Sequence, residues 1–154
     1  MFKVYYNNIE VANKNLFKSQ VLLEPNFCIK TNKDKIHTLI LFDPDVVQPD
    51  WLHWLVINIK GNEKEILVNY FIPNPPSGIH RYIFLLCEQQ SMLSINKIEK
   101  RYLFDIREFL KENKLSIVDS TFFTINKNIN LNIEKTEESK MEIKESNKYT
   151  SIKK

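Results

Sequence analysis

The chain has 154 residues, 43% hydrophobic and 12% aromatic, and 22 basic against 19 acidic side chains give a net charge of +3. That length fits one domain whose core needs no staples, and so modest a charge does not predict nucleic-acid binding, which usually shows a concentrated basic face. Two glycines, Gly61 and Gly78, are too few for a dinucleotide fingerprint or a P-loop, and no apolar run approaches the ~18 residues of a membrane span.

In chain order, FKVYY (2–6), SQVLL (19–23) and FCIK (27–30) read as early strands. HTLILF (37–42) is a strongly apolar strand stopped by Asp43-Pro44. HWLVINI (53–59) ends at the KGN turn, and EILVNYF (65–71) runs into the loop PNPPSG (73–78), which proline and glycine keep out of any ladder. HRYIFLLCEQ (80–89) is the longest apolar strand. One helix is expected after Phe104, with Asp105 as N-cap, Glu108 completing a capping box, and an apolar stripe of Ile106, Phe109 and Leu110. LSIVDSTFFTIN (115–126) reads as a last strand. The sum is a mainly β sandwich.

From about Asn126 seven lysines alternate with five glutamates and few large apolar residues. The expectation is a domain over 1–125 and a tail over 126–154, disordered or marginally helical. Cys28 and Cys87 lack metal or redox spacing and are expected as buried free thiols. The N-terminus has no apolar h-region, so a soluble chain of a reducing, cytoplasmic compartment is expected.

Three polar groups lie at strand ends beside proline loops. Strict alternation puts Leu39, Leu41 and Asp43 on one face, Trp51, His53, Leu55 and Ile57 on one face, and His80, Tyr82, Phe84 and Leu86 on one face. If these ends meet, two imidazoles, a carboxylate and a phenol share a pocket. Four readings stay open: structural histidines; a His/His/Asp metal triad; nucleophilic catalysis by Ser77 beside His80, without a GxSxG elbow; and an anion site built from imidazole and phenol donors.

The blocks LILFDPD, WLHWLVINIKG, PPSGIHRYIFLLCEQ and FDIREFLKENKL…VDSTFF resemble the phosphatidylethanolamine-binding protein family, over about residues 4 to 125. That family includes Raf-kinase inhibitor proteins and plant flowering regulators. The resemblance implies a large central antiparallel-rich sheet, few peripheral helices, and a small pocket for phosphate-like groups. It places Asp43, His53, His80 and Tyr82 in that pocket and Trp51, Pro75 and Pro76 on its rim, with Arg81 pointing away into an ion pair. It implies a non-enzymatic regulator that binds a phospholipid headgroup or phosphorylated ligand and acts on a signalling partner such as a kinase, with no cofactor, no catalytic metal, no nucleic acid and no membrane span. The alternative is a small hydrolase or metal-dependent enzyme using the same side chains. Both histidines are expected to lend charge, so that anion binding weakens through roughly pH 6 to 8. Departures from the family pattern are Val47 in place of a second proline after DPD, a shortened loop between Asp45 and Trp51, and Asp119-Ser120 in place of small residues.

Overall fold

The computed structural model describes residues 1–128. The apolar runs form the middle of a six-stranded sheet. β5 (Ile36–Asp43) lies between β6 (Trp51–Lys60) and β8 (Ile79–Gln89), antiparallel to both. These strands carry large apolar residues on both faces, as a sheet covered on both sides requires. β9 (Ser116–Asn126) continues the sheet beyond β8, and β7 (Glu63–Val68) forms the opposite edge. The short β3 (Lys14–Asn15) pairs parallel with β9, so the order is β3-β9-β8-β5-β6-β7.

One face is covered by a smaller sheet, β1 (Phe2–Tyr6) between β2 (Ile9–Glu10) and β4 (Asn26–Ile29). Phe2, Val4 and Tyr6 alternate inward and join Leu39, Leu41, Trp54, Phe84 and Phe123 in one core. The other face lies under the chain from 90 to 105 and α1 (Ile106–Glu112). There Ile106, Phe109 and Leu115 pack with Ile40, Phe42, Leu55 and Ile57. The architecture is the expected mainly β sandwich with a large antiparallel-rich sheet, with α1 peripheral to it among the described residues. Asp105 caps α1, its Oδ1 accepting from the Glu108 N–H at 3.0 Å. Among the described residues no helix is long and apolar enough to cross a membrane.

Two expected strands need correction. Residues 19–23 do not extend: Lys18–Gln20 form one 3-10 turn, held by the Phe17 N–H donating to Gln20 Oε1 at 2.9 Å. A side-chain amide here replaces a ladder bond. Val21 turns inward and its carbonyl accepts from the Tyr70 hydroxyl, while Leu22 and Leu23 are 47% and 80% exposed. β7 begins at Glu63 and stops at Val68, because the carbonyl of Asn69 is taken by Arg101 at 2.7 Å instead of a strand partner.

β6 is interrupted twice. Near its end Asn58, with φ +56°, interrupts the pairing with both neighbours. Its side chain is buried and fully engaged: Oδ1 accepts from the Leu93 N–H and from Gln89 Nε2, both at 2.8 Å, and Nδ2 donates to the Leu93 carbonyl at 2.9 Å. Near its start the pairing jumps from Leu41↔Trp54 to Phe42↔Leu52, leaving His53 as an extra residue. Cys28 and Cys87 are free thiols, and burial pushes that of Cys87 up to about 12. The expected tail over 126–154 lies, from residue 129 on, outside the described residues.

Candidate functional site

Asp43 ends β5 directly before Pro44, where the chain leaves the sheet. Trp51 of β6 pairs with it, and continuing the β5–β8 register one step past Phe42↔Ile83 brings Tyr82 to its other side. His80 lies two residues before Tyr82 and therefore on the same face. The sheet thus forces an imidazole toward a carboxylate: His80 Nδ1 lies 2.6 Å from Asp43 Oδ2, and both residues are buried. The carboxylate can only accept, so His80 Nδ1 carries the proton. The second oxygen, Asp43 Oδ1, accepts from the Asp45 N–H at 2.8 Å.

His53 reaches this end by a route that alternation does not give. An unbroken β6 would send it to the face of Leu55 and Ile57, which pack under α1. The bulge shifts the phase, as an extra residue in one strand does. The His53 ring therefore stands edge-on to Tyr82 at 5.2 Å between centroids and 4.6 Å from Trp51. The expected grouping of His53 with Leu55 and Ile57 is thus wrong, whereas His53, Asp43, His80 and Tyr82 do meet at one end of the sheet.

Two residues absent from the expected set hold His53 in place. Phe71, just past β7, presents its carbonyl 2.7 Å from His53 Nδ1, and its N–H donates to the His53 carbonyl at 2.8 Å. Arg101, from the long segment before α1, donates through Nη1 to the carbonyls of Leu52 and His53 and through Nη2 to that of Asn69. Its guanidinium also lies over the rings of Trp51 and Phe71 at 5.6 and 5.3 Å. Phe71 carried a weak signal, an aromatic directly before a proline loop. Arg101 carried none, being one cation in a charged loop.

The two imidazoles sit in different electrostatic surroundings. Burial lowers His53 to about 4, partly opposed by the Phe71 hydrogen bond, and the electrostatic influence of Arg101 and His80 lowers it further. His53 is therefore neutral near pH 7, contrary to the expectation that both histidines lend charge. Burial, with Asp43 and Asp45 adding to it, raises Tyr82, so its phenol keeps its proton. Among the described residues, no hydrogen bond is made by His53 Nε2, His80 Nε2 or the Tyr82 hydroxyl. None of these atoms is sealed away either, since Trp54 Nε1 is the one enclosed, unpartnered side-chain polar atom among the described residues.

The surroundings also bear on the other readings. Ser77 is exposed and makes no hydrogen bond to His80 among the described residues. No three His, Cys, Asp or Glu side chains there converge as a metal-holding group, and the Nδ1 atoms of both histidines are already engaged. Arg81 does point away: its Nε and Nη2 grip Asp45 at 3.0 and 2.9 Å, and the Arg81 N–H donates to the same carboxylate. Pro75 is buried and Pro76 exposed in the loop leading to β8, and Val47 is 99% exposed on the shortened loop.

Known proteins resemble this chain. The family model described as phosphatidylethanolamine-binding protein matches residues 7–123. Protein SELF-PRUNING of Solanum lycopersicum is 36% identical over 138 residues, 80% of this chain and 78% of that protein. Protein FLOWERING LOCUS T of Arabidopsis thaliana is 34% identical over 136 residues, 79% of this chain and 76% of its own length. Among solved structures, the carboxypeptidase Y inhibitor, crystallised with its cognate proteinase, superposes with a TM-score of 0.70 at 23% identity, covering 81% of this chain and 82% of that one. At that identity the likeness concerns the fold.

Proposed function

The chain belongs to the phosphatidylethanolamine-binding protein family, and from that premise we propose that it is a non-enzymatic binding protein whose Asp43, His53, His80 and Tyr82 receive a phosphate-like group. The observation that carries this reading is the 2.6 Å contact between His80 and Asp43, beside a protonated phenol. Asp43 fixes the ring and keeps the proton on Nδ1. An arriving anion is met by an N–H at Nε2 when the ring takes its second proton, and the carboxylate offsets that charge. The Tyr82 hydroxyl supplies a neutral donor. Trp51, Pro75 and Pro76 form the rim, and the exposed loop around Val47 gives this member its own edge. The phosphate belongs to a phospholipid headgroup or a phosphorylated ligand, and the protein acts by occupying a signalling partner, such as a kinase, in the cytoplasm. Nothing at Ser77 favours the hydrolase alternative.

The reading is tested by titrating inorganic phosphate into wild type and His80→Ala, followed by amide NMR shifts. The expected result is saturable shifts at the Asp43, His80 and Tyr82 end of the sheet. A lost charge-assisted hydrogen bond of ~1.5–3 kcal/mol should weaken the variant by about 10- to 150-fold with the fold intact. Equal phosphate affinity in a well-folded His80→Ala would overturn it.

A further inference from the structure

The two imidazoles of the site both engage Nδ1, His80 with the Asp43 carboxylate and His53 with a backbone carbonyl. A backbone carbonyl can only accept, so the 2.7 Å contact between His53 Nδ1 and the Phe71 carbonyl places the ring proton on Nδ1. In the neutral ring Nε2 is then a bare lone pair. Phe71 follows β7, on the outer side of β6, and the second nitrogen of an imidazole points nearly the opposite way. His53 Nε2 is therefore directed inward across the sheet, toward β5 and β8, where Asp43, His80 and Tyr82 stand. It has no partner among the described residues and is open to solvent. The ionisable groups facing this ring are the Arg101 guanidinium, spread over Trp51 and Phe71 beside it, and His80 across the site. Among the described residues no carboxylate is bonded to His53 to stabilise a second proton. Burial, with Arg101 adding to it, outweighs the Phe71 hydrogen bond and keeps the ring neutral.

We infer that His53 is a specificity-determining hydrogen-bond acceptor, which makes the site selective for an oxyanion that carries its own proton, such as hydrogen phosphate or a phosphomonoester monoanion, over a fully deprotonated one such as sulfate. This rests on the anion-site reading above and narrows it to phosphomonoesters, because the phosphodiester of a phospholipid headgroup, like sulfate, has no proton on its phosphate to give. A protonated phosphate oxygen donates to His53 Nε2 while its bare oxygens accept from the Tyr82 hydroxyl and, when the ring takes its second proton, from His80 Nε2. Sulfate offers only acceptors, so one of its oxygens must face the Nε2 lone pair without a proton between them. Once the bound anion shuts water away from Nε2, the unmade hydrogen bond there is the device by which sites reject close isosteres.

The test compares inorganic phosphate and sulfate on the full chain at pH 6.5 and constant ionic strength, together with 15N NMR of the His53 ring. Phosphate should bind at least about 10-fold more tightly than sulfate. The His53 ring should appear as the neutral tautomer protonated at Nδ1. In His53→Gln, whose amide can turn either a donor or an acceptor inward, the preference should shrink to within about 3-fold. Equal affinities for the two anions in wild type would overturn the selectivity while leaving the anion site standing. Binding of neither would overturn both. A cationic or Nε2-protonated His53 would overturn the acceptor role whatever the ligand does.

Discussion

The guanidinium of Arg101 lies 5.6 Å from the centre of the Trp51 ring, and from there it donates to the carbonyls of Leu52 and His53, which flank and include the extra residue of β6. One side chain thus serves the backbone acceptors at the bulge, sharing the His53 carbonyl with the Phe71 N–H. A third bond, to Asn69, ties in the end of β7.

Replacing Arg101 should therefore loosen the bulge. Arg101→Met leaves up to three carbonyls without their donor, and the expected loss is about 2 kcal/mol in a urea titration. Arg101→Lys should recover only part of it, because a single ammonium cannot reproduce a planar fork of donors. Full stability in Arg101→Met would mean that water serves these carbonyls equally well.

Acid should destabilise the fold through His53. Its folded pKa, about 4, lies below the ordinary histidine value of 6.5. Between those limits the unfolded chain binds a proton that the folded chain refuses, so stability is full above ~6.5 and declines as pH falls toward 4. The gap corresponds to ~3 kcal/mol. His37, also lowered chiefly by burial, acts in the same direction. Unfolding free energies from pH 7.5 to 4.5 should fall steadily in wild type, and His53→Asn should show a shallower fall. Parallel profiles would place the acid sensitivity elsewhere.

Asn58 should tolerate little. Asn58→Ala leaves Gln89 Nε2 and the Leu93 N–H without their shared acceptor, and it puts a Cβ without a compensating bond at φ +56°. A loss of at least ~2 kcal/mol is expected, with the apolar segment after Leu93 becoming more open to hydrogen exchange. A loss no larger than that of an exposed surface substitution would show the network to be dispensable.

Arg81 is the contrasting case. Its bidentate pair with Asp45 is geometrically good, but the Arg81 side chain is 54% exposed. Arg81→Ala should cost no more than ~1 kcal/mol and leave phosphate affinity nearly unchanged, because the lost charge points into screened solvent. A marked loss of phosphate affinity would bring Arg81 into the site.

The legible parts of this chain are those where one physical term dominates. β5, β6 and β8 were readable because continuous apolar runs bounded by proline and glycine leave few alternatives, and α1 because Asp105 can cap a short apolar stripe. SQVLL misled because apolar composition does not state burial: Leu22 and Leu23 face solvent beside a turn closed by Gln20. The meeting of Asp43 and His80 follows from cross-strand geometry once the strands are known. His53 could not be placed by alternation, since the bulge contains no glycine and breaks the period silently. Its neutral state depends on burial first and on Arg101 next, which approaches from a segment whose course the sequence does not set.

The parallel pairing of β3 with β9 has a kinetic consequence. Lys14 and Asn15 lie beside Phe123 and Thr124, and the Thr121 hydroxyl reaches the Val11 carbonyl across 110 positions of chain. Closing a loop of that length costs entropy before any contact repays it, and such pairings slow folding. During synthesis β8 stays an open sheet edge until β9 leaves the ribosome, and the segment around Lys14 waits for a partner made more than a hundred residues later. The growing chain is thus most exposed to edge-to-edge association just before β9 is complete.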